Sequence, residues 1–356
     1  MKGNKKPFYG AKLRLSRTFK GFTLAELGEQ LTTSRQYLQR LESDQDSPSE
    51  DMLLALSEAL SVTPGFFFEP LSGEVSEEEC HFRKLKTTPS NLRIRALSYG
   101  TIFNMLLTYL EKYVDFPEIK MPSIKVRTRD DVERAAEKRR MAWGLRLDAP
   151  IKNVTRTLEC FGCVITTFEG ISEKIDAFSY HRSRPIIVRS LEKGSSSRAR
   201  FDLAHECGHL VMHNDLEVGN PALEDQANQF AGAFLLPRTA FIHEFPKSVR
   251  LNWTELFRLK QRWGVSVQAI IRRAYDLRLL NAVQYRNANV YISRNGWRHG
   301  EPPETEPSFE NIRVLPAAYE VMQANHSYSV QDIAKDLCIQ PSILENFGFI
   351  KSNTAF

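Results

Sequence analysis

The chain has 356 residues, 42% hydrophobic, 26% charged and 10% aromatic, a composition that excludes a disordered or collagen-like chain and implies two or three folded domains. No apolar run approaches the roughly 18–20 residues that span a bilayer, the basic start MKGNKKPFYGAKLRLSR lacks the apolar stretch of a secretory signal, and five cysteines are too few for a disulfide framework, so a cytoplasmic chain without membrane attachment is expected. The net charge of +5 is uneven: residues 1–45 carry nine Lys and Arg against Glu26, Glu29, Glu42 and Asp44, while 46–69 carry acids only, so the N-terminus suits a polyanion such as DNA.

Along 10–68, apolar residues recur at helical spacing between polar turns: Leu24, Leu27 and Leu31, then Leu38 and Leu41, then Leu53, Leu56 and Leu60. Thr23 followed by Glu26 is a capping box, and Ser34 stands where it can cap a second helix, Arg35–Glu42, across the polar turn LTTS. In a helix-turn-helix the second helix enters the major groove, where Gln36 can pair with adenine and Arg35 with guanine or a phosphate. Thr23, Ser34 and Arg40 flank them as further DNA-contacting candidates. From Leu13 to Phe68 the sequence resembles the phage-repressor-like (XRE/Cro-CI) DNA-binding family. The resemblance implies a five-helix bundle over 10–70, double-stranded operator DNA as ligand, and a homodimer, because one such unit reads one half-site. The same bundle also serves as a protein-docking module, and the turn departs from the family in having TTS in place of a glycine-containing turn.

The acidic LSGEVSEEEC reads as a linker, and 71–130 as a helical linker region broken by DFPEIKMPSIK. Residues 131–282 read as an α+β region: GCVITTF and PIIVRS are short β-branched strands, DAFSYHRSR is a hairpin-like link between them, and two strong helices follow. Residues 283–356 are expected to be a C-terminal appendage. They hold the Pro- and Glu-rich HGEPPETEPS and the helical SVQDIAKDLCIQPSILENFGF, either a degenerate second helix-turn-helix or a packing element.

The chemistry is concentrated in FDLAHECGHLVMH. His205 and His209, four apart, project from one helical face and can bind one metal together, while Glu206 beside the first can reach a water on that metal without ligating it. This is the zinc-peptidase pattern, with Glu206 as the base that takes the proton of water and passes it to the leaving amine. A third ligand is needed. His213 continues the series but lies about 6 Å further along a straight helix, which suits it to an outer-shell, substrate-side or plain core role. Glu224 is better placed, near the start of a helix that opens at Asn220-Pro221 and stops at Pro237, on one face with Ala227, Asn228 and Ala231; Asp225 is the fallback.

Residues from about Asp131 to Leu280 resemble the ImmA/IrrE family of metallopeptidases in the blocks WGLRLDAPI, EKIDAFS, RARFDLAHECGHLVMH, LEDQANQFAGAFLLP and RWGVSVQAIIRRAYDLRLL. The resemblance implies His205, His209 and Glu224 as ligands of a Zn2+ ion, Glu206 as general base, and a repressor-type protein as substrate. Cys207 departs from the family, in which a larger aliphatic residue is commoner there; it reads as a small buried residue. Tyr180, His181 and His213 are candidates for stabilising the oxyanion or supporting the ligands. Cys160 and Cys163 lack the second pair of a zinc site and are expected to be small core residues.

The expected architecture is mainly α, with a repressor-like bundle and a small α+β, zincin-like HExxH core bearing a short sheet. The expected function is a DNA-binding regulator fused to a zinc-dependent endopeptidase. The alternative is a non-catalytic repressor whose metal site is structural or sensing, including a toxin–antitoxin or phage-defence component.

Overall fold

The computed structural model describes residues 6–82, 89–169, 171, 177–189, 195–213, 220–248, 250–298 and 300–349; part of the EKIDAFS block falls outside them. Helices α1 (Gly10–Lys20), α2 (Leu24–Gln30), α3 (Arg35–Glu42) and α4 (Glu50–Leu60) form the N-terminal bundle. The expected fifth helix is a single 3₁₀ turn, Pro64–Phe68. Thr23 and Glu26 make the capping box of α2, and Ser34 caps α3 by accepting from the Tyr37 amide at 3.1 Å. Between the two helices Thr32 takes the left-handed conformation (φ 51°) that glycine adopts more readily. Gly28 meets the turn so closely that a Cβ there would sit 2.8 Å from the Thr33 carbonyl oxygen.

Strand β1 (His81–Phe82) and helices α5 (Ser90–Leu110), α6 (Arg129–Ala142) and α7 (Val154–Cys160) lead to strands β2 (Val164–Thr167), β3 (Phe178–His181) and β4 (Pro185–Arg189). The sheet order is β1-β3-β4-β2, with β3 antiparallel to both neighbours and β2 parallel to β4. The segment expected to be a hairpin-like link is therefore itself a strand. Its Phe-Ser-Tyr-His alternation suits a pleat, and the turn onto β4 is only Arg182–Arg184. Because β1 pairs with it, β3 lies inside the sheet rather than at an edge.

The sheet is a partition. Val164, Phe178, Tyr180, Ile186 and Val188 face one hydrophobic core, and Cys163, Ile165 and Ile187 face another. Burial on both sides suits the apolar run PIIV of β4 and the Val-Ile start of β2. The second core holds α6 and α7 together with α8 (Ser196–Met212), α9 (Pro221–Leu235), α10 (Arg238–Glu244), α11 (Trp253–Trp263), α12 (Val267–Asp276) and α13 (Ala282–Arg294). The first core joins α1–α4 to α5 and to the C-terminal helices α14 (Val314–His326), α15 (Val330–Asp336) and α16 (Pro341–Glu345).

These cores do not follow the expected boundaries. The stretch read as a linker contains α5, whose Tyr99, Phe103 and Leu106 are buried and whose Tyr99 stacks on Phe19 of α1 at 4.1 Å. The stretch read as an appendage is divided between the two cores: Ala288 and Ile292 of α13 enter the second, and Phe347 lies 5.4–6.3 Å from the rings of Phe19, Tyr99, Phe103 and Phe168 in the first. Helices α15 and α16 repeat the corner of α2 and α3. Cys338 is left-handed (φ 57°) where Thr32 is, and the Ile339 amide bonds the Ala334 carbonyl at 2.9 Å as Thr33 bonds Gly28 at 2.8 Å. The outward residues of α16, Ser342 and Glu345, carry no cation, and the corner packs on the N-terminal bundle through Thr63 N to Cys338 O and Gln340 N to Ser61 O, each 2.9 Å. Both expectations for this segment meet here, a helix-turn-helix shape used for packing.

Between α13 and α14 runs an acidic strap whose glutamates occupy helix N-termini, where unpaired amides attract carboxylates. Glu301 accepts from the amides of Val267 (3.1 Å) and Gln268 (3.3 Å) on α12, Glu306 from Ser197 (2.9 Å) on α8, and Glu310 from Val154 (3.0 Å) and Thr155 (2.8 Å) on α7. Buried Lys260 pairs with both Glu301 and Glu306, and Arg200 with Glu310. The strap thus clamps the first turn of α8.

Candidate metal centre

Helices α8 and α9 pack side by side. Gly208 lets them approach, since a Cβ there would stand 3.1 Å from the Phe230 ring, and Ala227 and Ala231 of α9 are fully buried. Ser195 caps α8, and Asn220 with Pro221 starts α9. The consequence is that His205 and His209 on one helix meet Glu224 in the first turn of the other.

The imidazole Nε2 atoms of His205 and His209 are 3.1 Å apart; Glu224 Oε2 is 3.4 Å from the first and Oε1 3.3 Å from the second. Ligands around a tetrahedral ion with bonds of about 2.0–2.1 Å are separated by about 3.3 Å, so the donor set fits such an ion in both spacing and chemistry. Among the described residues this is the one group of three His, Cys, Asp or Glu close enough to share a metal. The far sides of the rings are also engaged. His205 Nδ1 lies 3.1 Å from Asn228 Oδ1, His209 Nδ1 lies 3.0 Å from His213 Nδ1, and His213 Nε2 lies 2.9 Å from Gln226 Oε1. If each Nδ1 of the pair carries the proton, both Nε2 lone pairs point at the shared position, which is the arrangement a metal requires. Burial raises the Glu224 carboxyl, but the two imidazoles more than offset it and hold it at about 2. Burial, and then His209, pushes His213 down to about 4.

Removing Asn228, which orients His205, is expected to weaken metal binding by about 10–100-fold in an Asn228→Ala variant. Competition with a coloured chelator measures this, and an unchanged affinity would show that the contact does not hold the ring.

Glu206 is buried beside this cluster, and Ser179 of β3 donates to its Oε2 at 2.6 Å. Ser179 is not among the residues expected at the site, which include its neighbour Tyr180. The structure corrects that expectation for Tyr180: successive strand residues face opposite ways, so it lies in the first core, with its hydroxyl donating to the Gly100 carbonyl of α5 at 3.3 Å. His181 is exposed at the end of β3. His213 caps the end of α8 and braces His209 through the Nδ1–Nδ1 contact, the position of a residue that supports a ligand. Asp225, the fallback ligand, points away to Arg129 (3.1 Å) and Arg272 (3.5 Å). Cys207 is buried, and burial pushes its thiol up to about 12. Of the other pair Cys163 is buried, but Cys160, at the end of α7, is exposed rather than in a core. A cavity of about 520 Å³ lies between α8, α9, α12 and α13 and reaches the cluster's outer side at Asn228, with Phe201, Gln268 and Tyr285 in its walls.

On the N-terminal bundle Arg35, Gln36 and Arg40 are exposed along α3, Arg40 lying 3.4 Å from Asp46. Thr23 and Ser34 spend their hydroxyl oxygens as caps. Among the described residues no helix is long and apolar enough to cross a membrane.

Residues 13–67 match the family model described as helix-turn-helix, and residues 158–275 match that of peptidase M78, described as IrrE N-terminal-like domain. None of the curated proteins compared matches the sequence. The chain joins an XRE-type helix-turn-helix domain to an IrrE/ImmA-like domain of the peptidase M78 type.

Proposed function

We propose that this chain is a cytoplasmic DNA-binding regulator and a zinc-dependent endopeptidase that cleaves a repressor-type protein. The observation that carries the reading is the meeting of His205, His209 and Glu224 within 3.4 Å of one another, with Glu206 one residue from the first. A zinc ion held by these three residues supplies a Lewis acid for water and for the scissile carbonyl. Glu206, excluded from the ligand set, takes the proton of the attacking water and returns it to the leaving amine. Asn228 and His213 keep the two imidazoles turned inward.

The decisive experiment incubates the zinc-loaded chain with a proteome-derived peptide library and reads new termini by mass spectrometry. Cleavage that stops with a chelator and resumes with zinc is expected. If no chelator-sensitive cleavage appears, the peptidase reading fails and the DNA-binding one remains.

On DNA, α3 enters the major groove as one half of a homodimer, with Gln36 and Arg35 at base edges and Thr23, Ser34 and Arg40 beside them. Gln36→Ala is expected to weaken binding to DNA selected in vitro by about 5–150-fold, the equivalent of one bidentate base contact, with little change on random DNA. Fluorescence anisotropy at fixed salt measures both; equal losses on the two DNAs would assign Gln36 to the backbone.

A further inference from the structure

Ser179 sits on β3 with Phe178 and Tyr180 on either side, and pairs across the sheet with Ile187. It is fully buried, where a hydroxyl is costly unless hydrogen-bonded. Its bond to Glu206 Oε2 measures 2.6 Å, the length of a charge-assisted O–H···O⁻ contact with the hydroxyl as donor. The donor is set by the ladder to β4 and by pairing with His81 of β1, so it rests on a strand paired on both sides and not on a loop.

We propose, on the reading of Glu206 as general base, that Ser179 is a positioning residue for it. A glutamate reaches its carboxylate through three rotatable bonds, and proton transfer depends on a narrow range of distance and angle. One fixed donor on one oxygen sets the plane of the group before substrate arrives. Ser179 itself touches neither metal nor substrate. The period of the strand makes the assignment specific: Phe178 and Tyr180 turn into the first core, so of these three neighbours it is Ser179 whose side chain meets Glu206 of α8.

The test uses the full chain, with Ser179→Ala and Ser179→Thr. On a library peptide that wild type cleaves, Ser179→Ala should lower kcat by about 10–100-fold with KM and zinc stoichiometry unchanged, as for loss of an outer-shell partner. Ser179→Thr, which keeps the hydroxyl, should restore most of the loss. A second readout needs no turnover. In a double-mutant cycle on thermal unfolding of zinc-free and zinc-loaded protein, Ser179→Ala should lower Tm by several degrees in wild type and by much less on a Glu206→Ala background. Equal kcat in Ser179→Ala, no rescue by Thr, or additive shifts in Tm overturns the inference alone. A wild-type chain that cleaves no peptide overturns the peptidase reading, and the inference with it.

Discussion

Glu206→Gln is expected to reduce zinc-dependent peptide cleavage by about 10²–10⁴-fold, the usual contribution of a positioned general base. The amide occupies nearly the same volume and still offers an oxygen to the Ser179 hydroxyl, 2.6 Å from Oε2 in the wild type. It has no basic oxygen to receive a proton. The three ligating side chains are untouched, so zinc should remain at one per chain by elemental analysis. DNA affinity should also be unchanged, since α3 lies across the sheet in the other core. Cleavage at the wild-type rate would remove Glu206 from the mechanism. Loss of zinc together with cleavage would show that it holds the site together and would leave its role as a base unsupported.

The largest expected effect on stability lies away from the metal, at Lys260. Its ammonium is fully buried between Glu301 and Glu306, whose other oxygen contacts cap α12 and α8. Lys260→Met keeps the length and apolar stem but leaves two carboxylates without their cation. Breaking a buried pair in this way costs about 3–5 kcal/mol, or a fall in Tm of roughly 4–7 °C in a chain of 356 residues. Acid should narrow the difference. Burial raises the Glu306 carboxyl, but Lys260 and the Ser197 amide outweigh it and leave the group below its ordinary value. A carboxylate with a depressed value stabilises the fold above its unfolded value and loses that contribution as pH falls through the folded one. Without Lys260 the same carboxylate is easier to protonate, so the gap between wild type and variant should shrink below about pH 4.5. A pH-independent gap would place the stabilisation in the packing of the lysine stem.

The two helices of the DNA-binding corner and the HExxH helix were legible because their determinants are local. Caps act over three residues, and the i, i+4 spacing of His205 and His209 is a property of any α-helix. Glu224 stood out only in part: the helix start at Asn220-Pro221 and the small Ala227 and Ala231 pointed to a close approach, but His213 and Asp225 competed until α8 and α9 were seen packed. His213 was excluded from the ligand group by its position at the helix end, where it meets His209 through Nδ1.

The face that each residue of β3 presents was not legible. A one-residue difference along a strand sends a side chain to the opposite face, and FSYH does not say which face meets α8. The tyrosine turns into the first core, while the serine meets the carboxylate. The glutamates of the strap, read as loop composition, cap helices that are distant in sequence, and α5, read as linker, joins the bundle to the sheet.

What the sequence determined by itself was therefore the local chemistry: two imidazoles and a carboxylate on one helical face, two capped helices with Arg35 and Gln36 outward, and apolar strands able to be buried on both sides. Only the tertiary structure decided the carboxylate that completes the ligand set, the hydroxyl that meets Glu206, and the division of the chain into two cores along the sheet. Those outcomes depend on contacts between residues tens to hundreds of positions apart, and short-range periodicity carries no information about which distant partner a buried polar group will find.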